Sequence, residues 1–262
     1  MPTVCGYVGH VGSTPANEVI RQDAAELGVV EHAAVSDVGR EREGNEDSFL
    51  ERPPLFVVAD GMGGAEAGEV ASRTVVEVFE AAAEAGELPD ALEATVQTAN
   101  ERIHTMASED ASKVGMGCTT TAAYAAGGRL SVAHVGDSRL YRLRDGAFEQ
   151  LTDDHSLVGG LVRLGQLTPE EAEHHPQRSV ILRAVGVEPT VEVDMLQHEL
   201  EPDDVYLACS DGLTGMVRDV VIAETLNMFS SLAESADMLI ELANAAGGRD
   251  NITVALFRIG TA

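Results

Sequence analysis

Tryptophan is absent from the 262 residues, and aromatic side chains make up only 4% of them. A core must therefore come mostly from Val, Leu, Ile and Ala, and an apolar content of 44% allows one of ordinary size. Cysteine is scarce too. Cys5, Cys118 and Cys209 are far apart and odd in number, with no CxxC pair. That pattern suggests neither a disulfide framework nor a thiolate zinc site, and it fits a reducing cytoplasm. Lysine occurs once, at Lys113; every other basic residue is Arg. Long apolar runs are missing, since no stretch approaches the roughly 18 residues of a membrane span. Met1 to Pro15 show no charged start followed by an apolar run, so no secretory signal is expected there. Basic charge is in short supply overall: the formal net charge is −27. Such a chain repels nucleic acid and anionic membrane surfaces, and neither is expected as a partner.

What is present is a series of short apolar runs that end in Gly or Asp. Phe56–Ala59, Leu130–Val135, Val205–Cys209 and Ile252–Phe257 have strand length and are rich in β-branched residues. Arg139 to Gln150 reads as a hairpin turning at Asp145-Gly146. Helical segments look different. Gly68 to Ala85 places Val75, Val78, Phe79 and Ala82 on one face. A second helix is expected over Pro89 to Ala107, with Pro89 in its first turn. Thr168-Pro169-Glu170-Glu171 and Ser231 with Glu234 read as capping boxes, the latter opening a helix that stops at Gly247-Gly248. Residues 1–31 read as a weakly structured extension, and residues 32–260 as a single domain. Strands and helices are grouped, not alternating, which argues for an α+β layered fold with antiparallel sheets covered by helices.

Three Asp residues stand at the tips of apolar strands: Asp60, Asp137 and Asp211. A fourth, Asp250, stands just before one. Strand tips are rigid platforms, and neighbouring Gly residues let a ligand approach the backbone. Any one of these could be a turn residue, as Asp-Gly commonly is. Four gathered at one sheet edge could not all stay ionised without cations. Hard oxygen ligands select Mg²⁺, Mn²⁺ or Ca²⁺, and no His/Cys cluster argues for zinc. The spacing is not that of an EF-hand. The turn Asp60-Gly61-Met62-Gly63-Gly64 is neither a P-loop nor a dinucleotide fingerprint.

Six motifs follow one another in order: Ser36-Asp37-Val38-Gly39-Arg40-Glu41-Arg42-Glu43-Gly44-Asn45-Glu46-Asp47, Ala59-Asp60-Gly61-Met62-Gly63-Gly64, Gly117-Cys118-Thr119-Thr120, Val135-Gly136-Asp137-Ser138-Arg139, Ser210-Asp211-Gly212-Leu213 and Gly248-Arg249-Asp250-Asn251-Ile252-Thr253. From about Ala33 to Ile259 the chain resembles the bacterial branch of the metal-dependent, type 2C Ser/Thr protein phosphatases. The resemblance implies a β-sandwich of two antiparallel sheets with helices outside both faces. It implies two Mn²⁺ or Mg²⁺ ions at one end of the sandwich, joined in bacterial and other members by a third. Asp60, Asp211 and Asp250 match residues that bind the two ions, with Asp60 at the bridging position and Gly61 ligating through its carbonyl. Asp137 matches a ligand of a third, weaker ion. Glu46 and Asp47 match acidic residues that hold metal-bound waters. Arg42 matches the arginine that grips the substrate phosphate. Residues 155–177 resemble a mobile flap.

The resemblance further implies hydrolysis of phosphoserine and phosphothreonine in phosphorylated proteins, opposing a Ser/Thr kinase, by a cytoplasmic monomer. Two other readings stay open at this point: a phosphoprotein-binding module without turnover, and a hydrolase of small phosphorylated metabolites. One departure concerns position 62. Some members carry His after the Asp-Gly pair, a candidate acid for the leaving alkoxide; here it is Met62. His134 is expected to be a packed core residue, and His155, His174 and His175 to be exposed.

Overall fold

The run Leu55-Phe56-Val57-Val58-Ala59 is apolar at every position because both faces of its strand are covered. Phe56 and Val58 point to one side and Leu55, Val57 and Ala59 to the other, and the two sets enter different clusters of buried side chains. A computed structural model describes residues 27–261. In chain order they form β1 (Leu27–Asp37), β2 (Asp47–Arg52), β3 (Leu55–Met62), α1 (Ala65–Ala85), α2 (Leu92–Glu109), β4 (Gly117–Cys118), β5 (Thr120–Ala126), β6 (Arg129–Val135), β7 (Arg139–Arg144), β8 (Ala147–Gln150), α3 (Leu157–Arg163), α4 (Pro169–Glu173), β9 (Asp194–Glu199), β10 (Val205–Cys209), α5 (Asp211–Thr214), α6 (Asp219–Met228), α7 (Leu232–Ala245) and β11 (Ile252–Thr261).

Two sheets result, in the orders β1-β11-β10-β7-β8 and β2-β3-β5-β6-β9, with β4 beside β3. Every strand pair is antiparallel. The inner faces meet in a core that includes Phe56, Val132, Leu140, Tyr206 and Phe257. Phe257 stacks on Phe56 at 4.3 Å and on Tyr206 at 5.0 Å between ring centroids, so the few aromatics are concentrated where the sheets meet. Outside, α1 and α2 cover one sheet through Val75, Phe79, Val96 and Ile103. On the other, α6 and α7 bury Ile222, Leu226, Leu239 and Ile240. The four layers are the expected α-β-β-α arrangement.

Several local expectations change. The paired region is wider than residues 32–260, because β1 begins at Leu27 and β11 runs to Thr261. Residues 27–31 belong to a strand paired with β11, and the rest of the expected extension lies outside the described residues. Pro89 precedes α2, which starts at Leu92; Pro89 contributes its carbonyl to the Leu92 N–H. The Thr168–Glu171 capping box forms. The Ser231–Glu234 box does not: the Ser231 side chain makes no cap bond, and Glu31 accepts from Leu232 N–H at 2.7 Å instead.

Candidate metal centre

Antiparallel pairing decides where strand ends fall. Asp47, opening β2, is the register partner of Asp60 near the end of β3. Thr120 opens β5 opposite Val135, which closes β6. In the other sheet Cys209 closes β10 between Arg139 of β7 and Val254 of β11, and Asp37 closes β1 opposite Ile252. Hydrogen bonds join the two sheets at this end: the Asp47 carboxylate, from one sheet, accepts from Ser210 at 2.8 Å and Thr253 at 2.6 Å, from the other. Glu46, Asp47, Asp60, Gly61, Asp137, Asp211 and Asp250 therefore all lie at one end of the sandwich, and Arg42 reaches them from the β1–β2 loop.

The cluster is acidic and crowded. Glu46, Asp47 and Asp137 are buried, while Asp60, Asp211 and Asp250 keep part of their surface open. Burial pushes the Asp60 carboxyl well above its ordinary range, and repulsion from Asp47, Asp211, Asp137 and Asp250 adds to it. Asp47, Asp137 and Asp211 are raised as well, each chiefly by burial and then by neighbouring carboxylates, against hydrogen bonds or arginine charge that oppose the rise. Burial also raises Glu46, and Arg42 offsets part of that. Arg42 donates to Asp250 at 2.8 Å and to Glu46 at 3.5 Å. Burial disfavours its charge, but Asp250 and Glu46 outweigh that and hold its pKa above the ordinary value. Its side chain stays 46% exposed, open to an arriving anion. Arg139, the other nearby cation, is occupied by a bidentate pair with Asp154.

These residues suit hard divalent cations. One oxygen of Asp47 and one of Asp137 are buried with no hydrogen-bond partner, and such atoms are costly unless something positive meets them. The donors are carboxylate oxygens, the set that Mg²⁺ and Mn²⁺ take. Among the described residues, no three acidic, histidine or cysteine side chains are already drawn around a common point. The carboxylates are gathered at one end of the sandwich, where their mutual repulsion favours the binding of cations.

Sequence reading missed the residues that aim these groups. Ser210 and Thr253 occupy one oxygen of Asp47 and leave the other free. Asn251 accepts from Glu46 N–H at 2.7 Å and donates to the carbonyls of Val38 and Gly44, tying the Arg42 loop to β11. Thr119 accepts from the Asp60 backbone N–H at 3.0 Å. In α1, Ser72 donates to the Glu46 carbonyl at 2.6 Å, and Gly68 leaves room where a Cβ would overlap a Glu46 carboxylate oxygen. Ser210, Asn251, Thr253 and Thr119 fall inside the six motifs and were findable there; Ser72 and Gly68 carried no local signal.

The histidines divide. His134 is fully buried, as expected, with its ring bonded to Thr121 and to the Asp153 carbonyl. Burial and the nearby His155 push it down to about 4. His155 is not exposed but 5% accessible: it accepts from Gly136 N–H at 3.0 Å and meets Asp194 at 3.2 Å. Its own backbone N–H donates to the Gly136 carbonyl at 2.7 Å, so the root of the 155–177 segment is clipped to the residue beside Asp137.

Comparison with known proteins agrees with this geometry. The sequence matches the family described as Protein phosphatase 2C over residues 40–255. It is 42% identical over 233 residues to the serine/threonine phosphatase stp of Listeria innocua, covering 84% of this chain and 92% of that protein. It is 45% identical over 232 residues to the serine/threonine protein phosphatase PstP of Mycobacterium tuberculosis, covering 86% of this chain and 44% of that longer one. A crystal structure of the PstP catalytic domain in complex with two manganese ions matches with a TM-score of 0.82 at 41% identity, covering 90% of this chain and 99% of that one. The matched span holds Arg42 and all of the acidic cluster, and the chain belongs to the protein phosphatase 2C family.

Proposed function

We propose that this chain is a protein serine/threonine phosphatase that hydrolyses phosphoserine and phosphothreonine, with Mn²⁺ or Mg²⁺ held by its acidic cluster. One observation carries the reading: buried, mutually repelling carboxylates with unpartnered oxygens lie beside an arginine that stays open to solvent. Asp60, Asp211 and Asp250 would hold two ions, with Asp60 shared and the Gly61 carbonyl adding an oxygen. Asp137 would serve a third. Glu46 and Asp47 would hold water around them. Divalent cations, when bound, supply charge to the phosphoryl oxygens and make water a competent nucleophile near neutral pH.

The chain's own groups do the rest. The Arg42 guanidinium is a planar fork that matches two phosphoryl oxygens, and Asp250 and Glu46 hold it in place until a phosphate arrives. Met62 has no proton to give, and both ring nitrogens of His134 and of His155 are engaged within the protein, so neither histidine presents a free donor to the leaving alkoxide in this structure. The 155–177 segment, rooted beside Asp137, would act as a flap facing protein substrates. We further infer a monomer in the cytoplasm, opposing a Ser/Thr kinase in a signalling pathway. Cys118 and Cys209 are free, buried thiols, in keeping with a reducing compartment. No helix among the described residues is long and apolar enough to cross a membrane.

The test is turnover of a phosphothreonine peptide and of a phosphosugar in Mn²⁺, after EDTA, and after Mn²⁺ is restored. The peptide should be hydrolysed, should stop with the chelator and should recover with the metal. Full activity in excess EDTA, or a preferred phosphosugar, would overturn the proposal.

A further inference from the structure

The strand that carries Asp60 continues for two residues to Met62, and side chains two apart share a strand face. Met62 is paired with Gly117 of β4, which has no side chain to fill the space above it. Two methyl groups occupy that space. Met62 Cε lies 3.0 Å, and Val187 Cγ2 2.8 Å, from the point where a Gly117 Cβ would stand. Val187 is 44% exposed, and Met62 is partly exposed. The lip they form is held rigidly. Val185 exchanges backbone hydrogen bonds with Cys118 at 2.8 and 3.0 Å. Buried Asn100 of α2 accepts from Gly186 N–H at 2.7 Å and donates to the Glu188 carbonyl at 3.1 Å, bracketing Val187.

We infer that Met62 and Val187 form a subsite for an apolar side chain lying one or two residues from the phosphorylated residue of the substrate. The inference rests on the phosphatase reading above. Its reason is distance and charge. With the phosphoryl group at the Asp60 end of β3, Met62 is about 7 Å further along the same face, at roughly 3.3 Å per residue. Adjacent residues of a bound peptide are about 3.8 Å apart, so a near neighbour of the phosphoresidue falls at this lip. The cluster beside it is crowded with carboxylates and the whole chain carries −27, whereas this lip presents two uncharged methyl groups. An acidic neighbour is disfavoured there, and an apolar one gains buried surface.

The experiment uses the Mn²⁺-loaded enzyme and two phosphothreonine peptides that differ only in leucine or serine at the positions flanking the phosphoresidue. The expected result is a kcat/KM ratio of roughly 10 in favour of leucine, the scale of discrimination that a small apolar contact provides. Val187→Asn and Met62→Gln should each bring that ratio toward 1. Val187 is exposed enough for its variant to fold, which circular dichroism checks. Equal turnover of the two peptides by the wild type overturns the subsite and leaves the phosphatase reading standing. A leucine preference that survives both variants overturns its placement at Met62 and Val187. If neither peptide is hydrolysed while an aryl phosphate is, the protein-phosphatase reading itself fails, and this inference fails with it.

Discussion

Asp60 carries opposite consequences for stability and for function. Burial and four neighbouring carboxylates all oppose its negative charge, so in the absence of cations that charge works against folding. In the proposed reading the same charge is a ligand once cations are present. Asp60→Asn should therefore abolish nearly all phosphatase activity and Mn²⁺ binding by calorimetry, yet raise the melting temperature of the chelated protein. A relief of about 1 kcal/mol corresponds to roughly 2–4 °C for a domain of this size. A lower melting temperature in EDTA would show that Asp60 is structural. Arg42 is the complementary case, because its partners Asp250 and Glu46 belong to the cluster and its outer face is open. Arg42→Ala should mainly raise KM for phosphate monoesters and weaken inhibition by inorganic phosphate. Loss of a charge-assisted pair costs about 1.5–3 kcal/mol, or roughly 10- to 100-fold in kcat/KM. Unchanged KM and unchanged phosphate inhibition would reduce Arg42 to a surface residue.

Among the elements, the segment expected as a flap has a closed stem and an open top. Leu157 N–H donates to the Val180 carbonyl at 2.8 Å and Leu182 N–H to the His155 carbonyl at 2.7 Å. The stem thus closes at 155–182, slightly beyond the 155–177 read from sequence, and carries α3 and α4 between. Shortening the segment above this stem should reduce phosphoprotein turnover more than aryl phosphate turnover, since loops on rigid scaffolds carry selectivity. Equal losses on both substrates would make it a structural element. A second element-scale test concerns Glu31, which caps α7 through Leu232 N–H and pairs with Arg258 at 3.0 Å. Glu31→Ala should cost about 0.5–2 kcal/mol, the range of a lost helix cap. Burial raises the Glu31 pKa, but the Leu232 bond and Arg258 together outweigh it and leave the pKa below the ordinary value. Its contribution is therefore complete above the unfolded carboxyl range and is lost as pH falls through the folded pKa. Chemical denaturation of both proteins across that window checks the sign; a difference that grows as pH falls would refute it. Glu31 also shows where sequence reading stops. β3 and β10 were legible because both their faces are covered and their runs are apolar throughout, and β6 and β11 because only Ser131, His134 and Thr253 interrupt their apolar runs. Asp60, Asp137 and Asp211 were legible because each stands just past such a run, and Asp250 because it stands just before one; Glu46 and Asp47 came only with the family resemblance. The cap on α7 was not, because a good local signal at Ser231 lost to a residue 201 positions away. His155 was missed for the same reason: its burial comes from Gly136 and Asp194, neither of them close in sequence.

At the scale of the whole molecule, a chain carrying −27 acts on a substrate class that is itself anionic. In the proposed reading, Arg42 and the ions that the acidic cluster would hold handle the phosphate once it is bound. They do nothing for the approach, where the summed field of 44 acidic against 17 basic residues repels a phosphorylated chain. Ionic strength should reveal this. The Debye length is about 30 Å at 0.01 M salt and about 8 Å at 0.15 M, so the field reaches well beyond the site in the first case and hardly in the second. Two phosphothreonine peptides, one flanked by Arg and one by Glu, should differ most in kcat/KM at low salt, with the basic peptide faster. Raising salt should slow the basic peptide and quicken the acidic one, so their ratio contracts. A contact-only preference would behave differently, because pairs made at the site are screened much less than charges acting through solvent. Measuring both peptides across this range at fixed free Mn²⁺ separates the two: a ratio that ignores salt would place the discrimination in contacts with acidic residues at the site and take the net charge out of the account.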